Sequence, residues 1–158
     1  IGNSKGELTL SDCTLSENSA NAYGGAISNS HGNLTLGSCT LSGNSANNGA
    51  AIHNFKAVLL TLIGSTLSDN SADWTGGAIV HNQGDLALID CTLSNNTALQ
   101  SGWAILFEPS STPYNIALIN STFTIGAGLA FGETDVLISA GGHAIDYGRC
   151  PPGYAPPA

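Results

Sequence analysis

Paired carboxylates have the clearest potential for chemistry in this sequence, because two Asp or Glu side chains can cleave a glycosidic bond. Asp12 and Asp90 occupy equivalent positions of a sequence repeat, three repeats apart, and Glu17 and Asp69 occupy another, two repeats apart. If the repeats stack like β-strands, the separations are about 14 Å and about 9.6 Å. Glycosidases need roughly 5 to 9.5 Å. The first pair is too far apart, and the second lies at the limit, at a solvated bend.

Basic side chains are scarce. Only Lys5, Lys56 and Arg149 stand against eleven acidic residues, which gives a formal net charge of −8. A polysaccharide lyase would need basic residues clustered beside acidic calcium ligands, and the sequence shows no such cluster. The negative charge also disfavours the phosphate backbone of nucleic acids and acidic membrane surfaces. We therefore predict no catalytic residues, no enzyme activity and no nucleic-acid partner.

Two histidines are the remaining candidates for a ligand site. His53 and His81 each precede an Asn in neighbouring repeats, which makes them candidates for stacking on one another. A zinc site needs at least three protein ligands, and no third ligand is recognisable. We interpret both as solvated surface histidines and predict neither a metal nor a cofactor.

These positions belong to a stretch that recurs every 26 residues: LTLSDCTLSENSA at 8–20, LTLGSCTLSGNSA at 34–46, LTLIGSTLSDNSA at 60–72 and LALIDCTLSNNTA at 86–98. Leu alternates with Thr or Ala, which is the pattern of strands with one buried face. A third strand is predicted at the Ala-Ile pairs 26–27, 51–52, 78–79 and 104–105. The fixed period predicts an all-β parallel β-helix, or β-solenoid, with three strands in each of five to six coils.

Two columns of polar residues run through these repeats. One is an inward Cys column, formed by Cys13, Cys39 and Cys91, in which Ser65 and Ser121 are the neighbours. We expect buried free thiols there, because parallel Cβ vectors on adjacent coils lie outside the usual disulfide range. The other is a turn ladder of asparagines, formed by Asn18, Asn44, Asn70 and Asn96 and continued by Gly126. It predicts a bend with positive φ at these positions, and amides that stack along the column.

The ends of the chain depart from the repeat. Ile1 and Asn3 recur as Ile27 and Asn29, so we expect the β-helix, residues 1–148, to start in mid-coil as a fragment of a longer chain. The fifth turn is irregular, with insertions at 108–115 and 127–140 and a third strand predicted at 142–145. Residues 149–158 form either a Pro-rich exit segment or the start of a Cys-rich module.

The motif GGAI at 24–27 and 76–79, together with CTLSENSA and CTLSNNTA, resembles the polymorphic outer membrane protein repeat. This resemblance covers nearly residues 1–145 and implies a right-handed parallel β-helix of a secreted or surface protein, often an adhesin. CPPGY at 150–154 is similar to the opening of the cysteine-rich modules of ephrin-receptor-like ectodomains. That similarity implies that Cys150 pairs with a cysteine beyond this sequence.

Three sequons, at Asn33, Asn95 and Asn120, are candidate N-glycosylation sites in a secreted eukaryotic protein. Together these features predict a non-catalytic structural or adhesive segment of a large extracellular or cell-surface glycoprotein, in a fibrous or surface assembly. Expected partners are sister chains or further domains of the same chain, and glycans are a further candidate. We expect no membrane insertion by this segment.

Two alternative functions stay open. One is a β-helix that binds or degrades polysaccharides. The other is an ice-binding protein, because an outward column of threonines runs beside a column of Ser and Thr hydroxyls: Thr14, Thr40, Thr66, Thr92 and Thr122. Their expected spacing of roughly 4.8 Å suits a lattice match. A glycan on Asn120 would obstruct that face, and β-branched Thr suits any solvated strand.

Overall fold

The computed structural model describes residues 1–102, 104–108 and 115–124, and the backbone of two further strands, Ile138–Ala140 and Asp146–Tyr147. Within these ranges all regular structure is strand, and every strand pairing is parallel. The chain forms a parallel β-solenoid of about four turns with about 26 residues per turn, which confirms the predicted architecture. Gly126, residues 142–145 and Cys150 with the tail at 149–158 lie outside the described residues.

The strands form four sheets that run along the solenoid. Sheet 1 contains β1 (Gly2–Ser4), β4 (Ile27–Ser30), β8 (Ile52–Phe55), β12 (Ile79–His81), β16 (Ile105–Phe107) and β19 (Ile138–Ala140). Sheet 2 contains β2 (Glu7–Ser11), β5 (Asn33–Gly37), β9 (Leu59–Ile63), β13 (Asp85–Ile89), β17 (Ile116–Ile119) and β20 (Asp146–Tyr147). Sheet 3 contains β3 (Thr14–Ser16), β6 (Thr40–Ser42), β10 (Thr66–Ser68), β14 (Thr92–Ser94) and β18 (Thr122–Thr124). Sheet 4 contains β7 (Ser45–Asn48), β11 (Ser71–Thr75) and β15 (Thr97–Ala98).

Sheet 4 corrects the prediction of three strands per coil. Its inward residues are the small Ala46 and Ala72, and Ala72 pairs with Ala98 in register. The first coil joins this side only through single bridges, such as that between Ser19 and Ser45. A Ser-Ala pair between two turns is too short to show an alternation of period two, so the sequence pattern did not reveal this side.

The strand of the fifth turn also differs from the prediction. The strand that pairs with Ile105–Phe107 is Ile138–Ala140, whereas the sequence pattern placed it at 142–145. The mismatch arises because the insertions of this turn remove the fixed period that located the strands of the earlier turns.

The corners between sheets are formed by single residues in the left-handed backbone region. They are Lys5, His31, Lys56 and Gly84 between sheets 1 and 2; Asp12, Ser38, Gly64, Asp90 and Asn120 between sheets 2 and 3; Glu17, Gly43, Asp69 and Asn95 between sheets 3 and 4; and Gly24, Gly49, Gly76 and Gly102 before sheet 1. This corrects the prediction of positive φ at the Asn column. The residue that turns is the one before each Asn.

The GGAI motif follows from the corner before sheet 1. Gly24 has a φ of 62°, a region that glycine adopts without steric cost. A Cβ on Gly25 would meet the carbonyl oxygens of Ser45 and Ala50 on the next coil. The first glycine therefore permits the turn, and the second permits the close approach of two coils.

The core is a set of inward apolar columns, each with one residue per coil. Leu41, Leu67 and Leu93 form one buried row on sheet 3, whereas Leu15 on the first coil is half-buried. Sheet 1 supplies Ile27, Ile52, Ile79 and Ile105 in register. Because each column repeats at every coil, the apolar core is continuous along the solenoid.

The predicted turn ladder lies inside the solenoid, beside this core. Asn44, Asn70 and Asn96 are fully buried, and Asn18 of the first coil is exposed. The Nδ2 group of Asn44 donates to Oδ1 of Asn70 at 2.9 Å and to the carbonyl of Leu15 at 3.0 Å. Oδ1 of Asn70 also accepts the backbone N–H of Asn44 at 3.0 Å. Asn70 repeats this set of bonds with Asn96 and Leu41.

Replacing Asn70 by Leu should destabilise the solenoid by at least about 3 kcal/mol, because several buried polar groups lose their partners at once. Ser68→Ala, on the outer face of the same coil, is the matched control and should change stability by less than about 0.5 kcal/mol. Chemical denaturation followed by far-UV circular dichroism measures both. Equal stability of the two variants would contradict a structural role for the ladder.

Candidate functional site

A groove of about 320 Å³ lies on the outer face of sheet 1. Its floor is formed by residues that alternate outward on β4 and β8, where Ser28 pairs with His53 and Ser30 pairs with Phe55. Tyr23, from the segment before the Gly24 corner, Asn29 of β4, and Glu108, which follows β16, complete the lining. We call these residues the aromatic groove.

The rings of the aromatic groove form a continuous surface. The centroids of Tyr23 and His53 are 4.5 Å apart with ring planes tilted by 44°. The ring of His53 is stacked with Phe55 at 6.2 Å and 19°. Outside the groove lining, His31 approaches the same Phe55 ring edge-on at 6.1 Å, and Nζ of Lys56 lies 5.2 Å from its centroid.

His53 is nearly buried beneath Tyr23, with 8% of its surface exposed, which corrects its interpretation as a solvated histidine. Burial lowers its pKa to about 4, so the imidazole is neutral at pH 7. Within the described part of the chain, neither ring nitrogen forms a hydrogen bond. A neutral imidazole has one donor and one acceptor, and the His53 side chain lines the groove.

His81 is likewise buried, but it faces the interior and does not stack on His53. In the strand register His53 pairs with Val80, and His81 pairs with Asn54. The spacing is 25 residues from Asn29 to Asn54 and 27 from Asn54 to His81, so a strict period of 26 misaligns the two histidines.

Together with three asparagines, His81 forms a second inward ladder, which the sequence reasoning missed. Nδ2 of Asn3 donates to Oδ1 of Asn29 at 2.7 Å, and Nδ2 of Asn29 donates to Oδ1 of Asn54 at 2.6 Å. Nδ2 of Asn54 lies 2.9 Å from Nδ1 of His81, and Nε2 of His81 lies 2.6 Å from the carbonyl of Gly84. Since the amide donates, Nδ1 must accept and Nε2 must carry the proton. The ladder thus fixes the neutral form of His81.

The side chains of the inward Cys column, like those of the ladders, form hydrogen bonds with backbone groups of their own and neighbouring coils. Cys13, Cys39 and Cys91 are free thiols; Cys39 and Cys91 are buried and Cys13 is half-buried. The Sγ atom of Cys91 donates to the carbonyls of Leu62 and Ile89, both at 3.3 Å. Burial raises the pKa of this thiol, so it is a poor nucleophile. Ser65 occupies the same column, and its Oγ accepts the backbone N–H of Cys39.

The acidic residues considered for catalysis lie at exposed corners. Asp12 and Asp90 are exposed between sheets 2 and 3, and Glu17 and Asp69 are exposed between sheets 3 and 4. Asp69 accepts a hydrogen bond at 3.2 Å from the side chain of Asn95 on the next coil. Among the described residues no group of three potential metal ligands occurs. The structure therefore gathers none of these carboxylates into the aromatic groove.

The three sequon asparagines differ in exposure. Asn95 and Asn120 are exposed corner residues with φ of 54° and 49°. Asn33 begins β5 and is half-buried, with its Oδ1 atom enclosed and without a hydrogen bond. A glycan would thus project freely from two of the three sites.

Two further outer faces carry repeated side chains. On sheet 3 the Thr column pairs in register from Thr14 to Thr122, beside the column from Ser16 to Thr124. On sheet 2, Ile63 pairs with Ile89, which pairs with Ile119; we call these three residues the apolar strip. The exposed fractions of Ile63 and Ile119 are 45% and 47%, which is high for large apolar side chains.

The fold, the inward ladders and the patterned outer faces define a parallel β-solenoid built from one repeated coil. Residues 12–30, which span β3, the Gly24 corner and β4, match the model of the Chlamydia polymorphic membrane protein repeat. This match confirms the resemblance predicted from the GGAI and CTLSENSA motifs. No curated protein and no solved structure matches the chain. Over the described residues there is no helix of the length and hydropathy needed to cross a membrane.

Acidification should destabilise the protein below about pH 6.5, because burial lowers the pKa values of His53 and His81 while the unfolded chain keeps ordinary histidines. The unfolded state then binds more protons than the folded state. The free energy of unfolding therefore decreases by up to about 1.4 kcal/mol for each histidine when the pH is lowered by one unit. The carbonyl of Gly84 and the charge of Asp85 partly offset the shift at His81.

Denaturation midpoints between pH 7 and 5 measure this effect. In His81→Asn the new side chain carries an amide like the other ladder members. This substitution should reduce the slope of the denaturation midpoint against pH. Ser68→Ala, which removes no titratable group, is the control and should leave the slope unchanged. An unchanged slope in His81→Asn would show that this imidazole is not held neutral by the fold.

Proposed function

We propose that the chain is a non-catalytic structural and adhesive segment of a large extracellular or cell-surface glycoprotein. One observation supports this above all: residues 12–30 match a repeat of a membrane-protein family, and this repeat runs from β3 on sheet 3 to β4 on sheet 1 of a solenoid coil. A solenoid of this kind is a rigid support that presents the same surface positions coil after coil. Such a support suits adhesion at a cell surface.

The outer faces supply the contacts that this function needs. The apolar strip lies on strands of regular register and exposes apolar side chains, which favours packing against an equivalent face of a sister chain or a further domain. Asn95 and Asn120 are accessible for glycans at a different edge, between sheets 2, 3 and 4. Glycans of another molecule are a second class of partner. The acidic balance of charge disfavours nucleic acid.

Beads coated with the 158-residue chain test the adhesive function without any added ligand. We expect the beads to clump through contacts between sister chains, and Ile63→Lys with Ile119→Lys should reduce clumping at least fivefold by placing charges on the apolar strip. Thr40→Lys with Thr92→Lys on sheet 3 is the matched control, with equal added charge.

Intact cells that produce the protein provide the second arm of this test. Antibodies against the folded chain should label them without permeabilisation. Dispersed beads together with unlabelled intact cells would overturn the proposed function.

The register of the Thr column favours the ice-binding alternative, but we expect no ice binding. Each strand of sheet 3 is only three residues long, and Asn120 lies two residues before Thr122 at the edge of this face. Measurements of thermal hysteresis and ice-crystal shape should show no activity. Faceted crystals that disappear with Thr40→Tyr and Thr66→Tyr would replace the adhesive assignment by ice binding.

A further inference from the structure

We propose that the aromatic groove binds a neutral oligosaccharide whose equatorial linkages leave flat faces of C–H bonds, with the sugar chain running along the solenoid axis. The inference deepens the proposed adhesive function by giving it a ligand class and a site. It rests on four features of the groove: its exposed aromatic surface, the unpaired polar atoms of His53, its charge and its length.

The aromatic surface is the first feature. Tyr23 is 53% exposed although its ring packs at a tilt against His53, so about half of this side chain is open to a ligand. A ring that is anchored on one side loses little conformational entropy when a second partner covers the other side. The C–H face of a pyranose packs on such rings, and Phe55 extends the platform along the groove.

His53 is the second feature. His53 is only 8% exposed, yet its ring nitrogens are not among the enclosed polar atoms without a hydrogen bond, so they remain accessible to a ligand. Within the described residues they have no hydrogen-bond partner in the protein, and the side chain lines the groove. A sugar hydroxyl can both donate and accept, so it matches the neutral imidazole and the hydroxyls of Ser28 and Ser30 beside it.

Charge decides between neutral and acidic sugars. Glu108 contributes a carboxylate to the lining, and this group accepts a hydrogen bond at 2.9 Å from Asn82. The ammonium group of Lys56 lies over the Phe55 ring, and no Lys or Arg is part of the described lining. With a net charge of −8 on the chain, an anionic sugar would be repelled, whereas a neutral one would not.

The length of the groove fits several sugar units. Its lining runs from β4, which carries Ser28 and Ser30, through β8 to Glu108 beyond β16. These strands are separated by three strand spacings, or about 14 Å. A volume of about 320 Å³ lies at the lower end of ligand sites, which suits a shallow groove for part of an extended chain.

Titration calorimetry of the full chain with four hexamers tests the proposal. The probes are cellohexaose and the N-acetylglucosamine hexamer, which are neutral and equatorially linked, maltohexaose, whose linkages are axial, and hexagalacturonate, which is acidic. We expect binding of at least one of the first two, and at least tenfold weaker binding of the last two. Absence of binding by both equatorial hexamers, or stronger binding of hexagalacturonate, would overturn the proposal.

Variants assign the binding to the groove. Tyr23→Ala should weaken it at least tenfold, whereas Trp74→Ala removes an equally exposed aromatic side chain, at 50%, that does not line the groove, and should leave binding unchanged. His53→Phe keeps the ring packing but removes the polar atoms, and should also weaken binding about tenfold. Circular dichroism confirms that each variant is folded. Equal loss in Trp74→Ala, or none in Tyr23→Ala, would contradict the site. Because bead clumping is measured without sugar, failure here is distinguishable from failure of the adhesive function.

Discussion

The structure depends on satisfying backbone polar groups at the corners of a stacked coil. Strand residues pair with the coils above and below, but a chain that turns within one residue directs some N–H and C=O groups away from that pattern. The buried asparagines solve this problem because one amide combines a donor and an acceptor. Asn70 accepts the backbone N–H of Asn44, donates to the carbonyl of Leu41 and continues the chain of amides to Asn96. Each coil is thereby aligned on its neighbour, and the apolar columns follow.

The second ladder also pairs buried polar groups between coils, but it ends in a histidine instead of an asparagine. Asn3, Asn29 and Asn54 each pass a donated hydrogen bond to the next coil, and the direction of these bonds is uniform. His81 ends the series as an acceptor at Nδ1 while its other nitrogen reaches Gly84. A protonated imidazole would present two donors to Asn54 and Gly84. The uniform direction of the ladder therefore opposes protonation in addition to the effect of burial.

Much of the scaffold was predictable because its signals are local and periodic. The Leu columns alternate with Thr on the same strand, and a period of 26 sets Leu41, Leu67 and Leu93 in register. The fourth sheet was not predictable, because Ala46 and Ala72 offer a single inward residue per strand. The positive φ was assigned one residue late, since both Asp69 and Asn70 are residue types that favour turns.

The aromatic groove escaped prediction for a different reason. Its rings come from the loop before one corner, at Tyr23, and from a strand of the following coil, at His53 and Phe55. In this part of the chain the spacing of equivalent residues is 25 from Asn29 to Asn54 and 27 from Asn54 to His81. A fixed period of 26 therefore assigns the histidines to the wrong strand positions. The predicted Ala-Ile pairs already aligned Ile27 with Ile52, and the strand register confirms that His53 faces outward. The sequence did not show that Tyr23 packs against the ring of His53.

Inward residues repeat from coil to coil, whereas outward residues differ. This difference explains how one repeated coil can present several kinds of outer surface. Each inward column repeats one kind of residue: Leu, Ile, Asn, or Cys with Ser. The reason is that each inward side chain must pack against, or form hydrogen bonds with, its equivalents on the neighbouring coils. Outward positions are free of that requirement, so sheet 1 carries rings on β8, sheet 2 carries the apolar strip and sheet 3 carries hydroxyls. In the outward column of His53 the other members are Ser28, Val80 and Leu106, none of which is aromatic or titratable. The aromatic groove is thus a local feature imposed on the repeat, and a ligand specificity located there can change without altering the ladders that hold the fold.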